Sequence, residues 1–162
     1  MFLFETIYDL EAGAAVLRRR RYGVIEVADG RLRRIRLRPF PKLISRAGVK
    51  LDNWLFHSRR RGDRCWLYYN QPLGCPNFLA VTHVVSTAGT CYRSFHLATA
   101  VLDEIARLKR SDAMVCHVTN DRISDRLLRR WGWEPHAPRV RGRNYIKRFY
   151  GQYPPVLALN PV

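Results

Sequence analysis

The period of the apolar positions changes along the chain, and it is easiest to follow in the second half. From Phe95 to Lys109, residues Leu97, Ala98, Val101, Leu102, Ile105 and Leu108 recur at helical spacing while Asp103, Glu104 and Arg107 fall elsewhere, which predicts an amphipathic helix. Ala113 to Thr119 is a continuous apolar run of strand length, the pattern of a strand covered on both faces. Asn120 or Asp121 can cap a following helix in which Ile123, Leu127 and Trp131 share a face and which stops at Gly132. Asn144 to Tyr150 reads as an aromatic-rich strand ahead of the Pro154-Pro155 tail.

Upstream, Asp9 to Arg20 reads as a short helix with Ala12, Ala15 and Val16 on one side, ending before Tyr22-Gly23. Ala28-Asp29-Gly30-Arg31 predicts a two-residue hairpin turn, because Asp-Gly accepts the positive φ values of a type I′ turn. Pairing outward sets Val27 opposite Leu32 and Glu26 opposite Arg33, and leaves Arg34, Arg36 and Arg38 on one face. From Pro39 to Gly62 the period is lost, with one apolar patch at Trp54-Leu55-Phe56 and a loop-like stretch from Arg59 to Gly62. Cys65 to Tyr69 and Phe78 to Ser86 read as strands joined by the turn-rich Gln71 to Pro76.

The order is strand, helix, strand, helix, strand after an antiparallel region. That predicts a mixed α/β domain of the α+β kind, a mostly antiparallel sheet with a central parallel βαβ unit flanked by helices. The unit is Phe78 to Ser86, the helix, and Ala113 to Thr119. The loop after its first strand opens onto a helix N-terminus, where unpaired N–H groups and the helix dipole attract phosphate. With 162 residues the chain fits a single domain, residues 1–64 being its least legible part and 65–150 its core.

Composition adds two constraints. Hydrophobic residues at 47% supply an ordinary core, which excludes a solvated polyelectrolyte. The formal charge is +16, and lysine occurs only at positions 42, 50, 109 and 147, so the charge is carried by arginine, the side chain best suited to bidentate phosphate contacts. Clusters fall at Arg18 to Arg21, at Arg59 to Arg61, and at Arg31, Arg33, Arg34, Arg36 and Arg38. Binding to RNA or DNA is one reading; a solvated surface accounts equally for arginine spread over the whole chain. The four cysteines, Cys65, Cys75, Cys91 and Cys116, form no C-x-x-C pair, which leaves a zinc ribbon or a disulfide framework unsupported and makes Cys116 a small buried hydrophobe. No metal is expected. The acidic N-terminal flank and short apolar runs predict a cytoplasmic protein with no membrane partner.

Tyr92-Arg93-Ser94-Phe95-His96-Leu97-Ala98, followed by Leu102 and Ile105, resembles the pyrophosphate-binding segment of the GNAT acyl-CoA N-acyltransferase superfamily. Arg93 and Ala98 match its Arg/Gln-x-x-Gly-x-Gly/Ala pattern, and His96 takes the place of the middle glycine. Asn120, Ser124, Leu127 and Trp131-Gly132-Trp133-Glu134 resemble the family's second signature, with Leu128 where a tyrosine acid often stands. The likeness spans Phe78 to Tyr150. It implies a sheet whose fourth and fifth strands splay apart around the pantetheine arm of acetyl-CoA or another acyl-CoA. It also implies main-chain amides of Ser94, Phe95, His96, Leu97 and Ala98 around the diphosphate, with Arg93 as a phosphate contact and Asn120 as a further cofactor-binding residue. Direct acyl transfer to an amine then requires a base and an acid. His83 and His117, in the two parallel strands, and Tyr92 are the candidates, although each histidine also reads as a satisfied structural residue and Tyr92 as a packing anchor. The alternative is a module of this fold without catalysis that binds RNA or DNA through its arginine clusters.

Overall fold

The computed structural model describes residues 4–42, 62–119 and 123–155. Eight strands form one mixed sheet: β1 (Glu5–Ile7), β2 (Tyr22–Ala28), β3 (Arg31–Arg38), β4 (Arg64–Asn70), β5 (Phe78–Ser86), β6 (Ala113–Val118), β7 (Glu134–Pro135) and β8 (Arg143–Arg148). Their spatial order is β1-β3-β2-β4-β5-β6-β8-β7, and every neighbouring pair is antiparallel except β5 and β6. Three helices are present among the described residues: α1 (Ala14–Arg19), α2 (Tyr92–Lys109) and α3 (Asp125–Arg130). The α+β class is as expected, with one parallel crossover in an antiparallel sheet. No helix among the described residues is long and apolar enough to cross a membrane.

The long helix α2 lies on one face of the sheet. Its Ala98, Val101, Leu102, Ile105 and Ala106 are fully buried and join Ile25, Val27, Ile35, Leu37, Leu67, Tyr69, Leu79 and Met114 in one core. Leu97, expected on that stripe, is only half-buried, and Ser94 and Ala106 are buried instead. The opposite face carries a second cluster of Val24, Trp66 and Val85, with Tyr68 against it. Gly23 lets these layers close: its register partner Tyr69 lays its ring where a Cβ would stand, 2.6 Å away.

The hairpin turn forms as predicted, Asp29 and Gly30 both having positive φ (54° and 68°). A β-bulge then shifts the register, so Glu26 pairs with Arg34 rather than Arg33 and accepts a 2.7 Å hydrogen bond from its Nε. The first helix is shorter than expected. The Asp9 carboxylate accepts from the Ala12 N–H, so 9–13 is a chain of turns, and Leu17 is buried while Ala12 and Ala15 face solvent. β6 is buried only at Ala113 and Met114, so it is not covered on both faces, and Cys116 is half-buried. The last long strand is Arg143–Arg148, one residue earlier at its start and two at its end than its aromatics suggested.

Residues 18–21, expected as a basic patch, are largely engaged in the fold. Arg20 Nε donates to Glu5 at 2.7 Å, Arg18 Nε donates to the Leu108 carbonyl at the end of α2, and Arg21 is half-buried. Beside them Lys109 Nζ donates to the carbonyls of Arg18 and Arg20 and to Gln71. Desolvation, with Arg21 nearby, pushes its pKa down to about 8. Between that value and the unfolded value of about 10.4 the unfolded chain holds a proton that the folded chain has released, so raising the pH favours folding. Urea melts of wild type and Lys109→Met should therefore differ in slope from about pH 8 to 10, the wild type gaining stability relative to the variant.

Candidate functional site

The site begins where two strands stop pairing. Parallel β5 and β6 are joined only from Phe78 opposite Ala113 to Val81 opposite Cys116. Beyond that point β5 runs on to Ser86 and β6 to Val118. Each stays paired on its outer side, Ser86 with Cys65 of β4 and Val118 with Arg143 of β8. The sheet is thus split between β5 and β6. The departure coincides with a bulge: Tyr68 faces His83 and Tyr69 faces Val81, so Thr82 has no opposite residue. An extra residue bends and twists a strand, which accounts for β5 turning away here. Val84 of β5 and Val118 of β6 stand beyond the last pair, and both, with Phe95, Cys116, Ile123 and Trp131, are half-buried against the core. The likeness implied a split between the fourth and fifth strands; it falls between the fifth and sixth, because the three-residue β1 escaped the sequence reading.

At the head of the split stands the N-terminus of α2, which starts at Tyr92, three residues before the predicted Phe95. Its ladder begins with the Phe95 N–H donating to the Cys91 carbonyl. The amides of Phe95, His96, Leu97 and Ala98 are therefore inside the helix, and only those of Tyr92, Arg93 and Ser94 precede the ladder. This corrects the expected diphosphate cradle. The N-cap residue Cys91 makes no side-chain cap of its own. Asp63, from the approach to β4, supplies the acceptor: its carboxylate accepts from the Cys91 N–H at 3.1 Å, from the Cys91 thiol at 3.0 Å and from the Ser94 hydroxyl at 2.7 Å. Partial burial opposes ionisation of Asp63, but these hydrogen bonds outweigh it and hold the carboxyl below its usual range. Ser94 Oγ also accepts from the Gly30 N–H at 2.9 Å, and the Asp29 N–H donates to the Asp63 carbonyl. The hairpin turn, the start of β4 and the start of α2 are thereby tied together.

The sequence candidates divide between the two sides of α2. Arg93 runs along the hairpin, its Cδ 3.1 Å from where a Gly30 Cβ would stand, on the side away from the split. Ser94 and Ala98 are fully buried, so bulky replacements there break the core as well as any ligand site. Tyr92, Phe95 and His96 face α3. The Trp131 indole N–H donates to Tyr92 Oη at 3.1 Å, His96 stacks on Tyr92 with ring centres 5.8 Å apart, and Phe95 and His96 pack against Trp131 at 5.3 and 5.4 Å. His96 thus takes its glycine-like position by lying sideways in an aromatic cluster at the mouth of the split.

His83 and His117 point to the same sheet face from opposite sides of the split. His83 is buried, its ring 6.0 Å from Tyr68. His117, beyond the last β5–β6 pair, is exposed and holds Asn144 Oδ1 at 2.8 Å through Nδ1. Asn120 and Asp121 lie outside the described residues, as do Arg59 to Arg61. The cap of α3 is Ser124, whose hydroxyl accepts from the Leu127 N–H. Leu128, at the expected tyrosine position, is buried, while Leu127 and Trp131 are half-buried.

Sequence reasoning missed Asp63 and the Thr82 bulge. A weak signal for Asp63 was present, since cysteine is a poor N-cap and an 18-residue helix beginning there requires an acceptor from elsewhere. Comparison with protein-family models, with curated proteins and with solved structures finds no match to this chain.

Proposed function

We propose that the chain is an acyl-CoA-dependent N-acyltransferase of the GNAT type. The observation that carries the reading is the split between β5 and β6, opening beside the start of α2 and edged by half-buried apolar side chains. An extended pantetheine arm carries two amides, and the edge of β5 beyond Val81, paired with β4 but no longer with β6, offers them partners as a neighbouring strand would. The ionised Asp63 claims the hairpin side of the helix start, so the diphosphate lies on the Tyr92 and His96 side.

In this reading His117 is the base. With its Nδ1–H donating to Asn144, the neutral ring leaves Nε2 as the proton acceptor for the incoming amine. The amine nitrogen attacks the thioester carbonyl carbon, the C–S bond breaks, and the departing thiolate takes back the proton that His117 removed from the amine; Tyr92, beside the diphosphate, stands a pantetheine arm's length from the sulfur. Calorimetry should show saturable binding of acetyl-CoA. Val84→Trp, which fills the split, should weaken it by about tenfold or more, while Arg36→Ala on the distant β3 leaves it unchanged. Absence of saturable binding to wild type overturns the assignment for that donor.

A further inference from the structure

Among the described residues, the arginine clusters that stand out in the sequence are partly tied down by carboxylates. Arg34 is held by Glu26, Arg33 by Asp29, and Arg20 by Glu5. By contrast Arg126, Arg129 and Arg130 on α3, and Arg139 and Arg141 in the β7–β8 loop, are all exposed. Among the described residues none of the five makes an ion pair. Two carboxylates of the described α3 and β7 region have partners of their own: Asp125 accepts from Arg143 at 2.6 Å and from the Tyr145 hydroxyl, and Glu134 accepts from Arg148 at 2.9 Å.

Two contacts gather these groups. The Arg143–Asp125 pair, with Arg143 also donating to the Ile123 carbonyl, draws the end of the β7–β8 loop to the start of α3. The Trp131–Tyr92 hydrogen bond brings the aromatic cluster to the other end. Arg126, Arg129 and Arg130 are three and four residues apart and so share one flank of the helix. The result is a row of exposed guanidinium groups that ends at an aromatic platform, whose outer member, Tyr92, is 53% exposed.

We infer that this surface binds single-stranded nucleic acid. Guanidinium forks match phosphate oxygens, and these five are exposed to meet them. A stacking platform at the end of the row finds an accessible base face in a single strand and not in a duplex. The inference does not rest on the acyl-CoA reading, because neither the row nor the platform requires a coenzyme.

The test is fluorescence anisotropy of the full chain with a labelled, mixed-sequence single-stranded RNA over a salt series. The triple substitution Arg126→Ala, Arg129→Ala and Arg130→Ala should weaken binding by about tenfold or more and lower the log–log salt slope by about two, at roughly 0.7 per phosphate contact on a single strand. The matching lysine triple should keep the slope. Arg31→Ala with Arg36→Ala, exposed on β3, should change affinity less than about twofold. Tyr92→Ala should remove the preference for single strand over duplex. An equal loss from the β3 pair means diffuse charge attraction and overturns the inference. So does displacement of the RNA by saturating CoA, which assigns these arginines to the coenzyme.

Discussion

Replacing Lys147 with methionine is expected to destabilise the fold by about 3–5 kcal/mol at neutral pH, the usual cost of stranding one member of a buried ion pair. Lys147 Nζ, on β8, donates to Asp103 Oδ2 of α2 at 2.8 Å, and the two side chains are 10% and 14% exposed. Asp103 Oδ1 is buried with no hydrogen-bond partner. Burial pushes the Asp103 pKa up, against the opposing pull of Lys147 and, more weakly, His96. Removing Lys147 leaves the desolvation and takes away most of what offsets it. A carboxyl whose folded pKa lies above its unfolded value costs stability at neutral pH, and the cost disappears as the pH falls below both values. The deficit of the variant, read from urea denaturation, should therefore be largest near pH 7 and shrink towards about pH 4. Asp103→Leu combined with Lys147→Met should recover most of the loss. A deficit of equal size at both pH values refutes this account of the pair.

Asp63→Ala should cost about 2–4 kcal/mol, combining roughly 1 for a lost helix cap with 1–3 for the buried Ser94 hydroxyl left without its acceptor. Asp63→Asn keeps an oxygen for the Cys91 N–H and should cost only about 1 kcal/mol. The depressed Asp63 pKa makes its share of stability present above the unfolded carboxylate range and lost as pH falls through the folded value, so the wild-type advantage over Asp63→Asn should fade in acid. The pair also tests the proposed function. With the negative charge gone from the helix start, Asp63→Asn should bind acetyl-CoA more tightly, by about fivefold in calorimetry. Unchanged affinity with a clear stability loss would mean that the carboxylate is a cap and nothing more.

The elements with local signals were legible. The Asp29-Gly30 turn, β5 and the body of α2 announce themselves through turn chemistry and periodicity, and the structure places all three as read. What escaped depends on partners distant in sequence. The three-residue β1 exists because it lies along β3, and its Glu5 is held by Arg19 and Arg20. The bulge at Thr82 is a matter of register between strands. Asp63 caps a helix 28 positions further on, and a residue pattern within one window cannot carry that. The same distance effect reassigned Arg93 and Ser94 to the hairpin turn, although their local surroundings resemble a phosphate loop.

The split has a consequence for stability. Two strands that part in mid-sheet leave rows of main-chain donors and acceptors confronting one another, and sheets elsewhere shield such rows with charge, proline or a covering element. On the proposed function, an acyl-CoA supplying its own amides would complete the lattice of the sheet. Thermal resistance then becomes a function of how full the slot is, rising by about 2.7 kcal/mol when the occupant stands at a hundred times its dissociation constant.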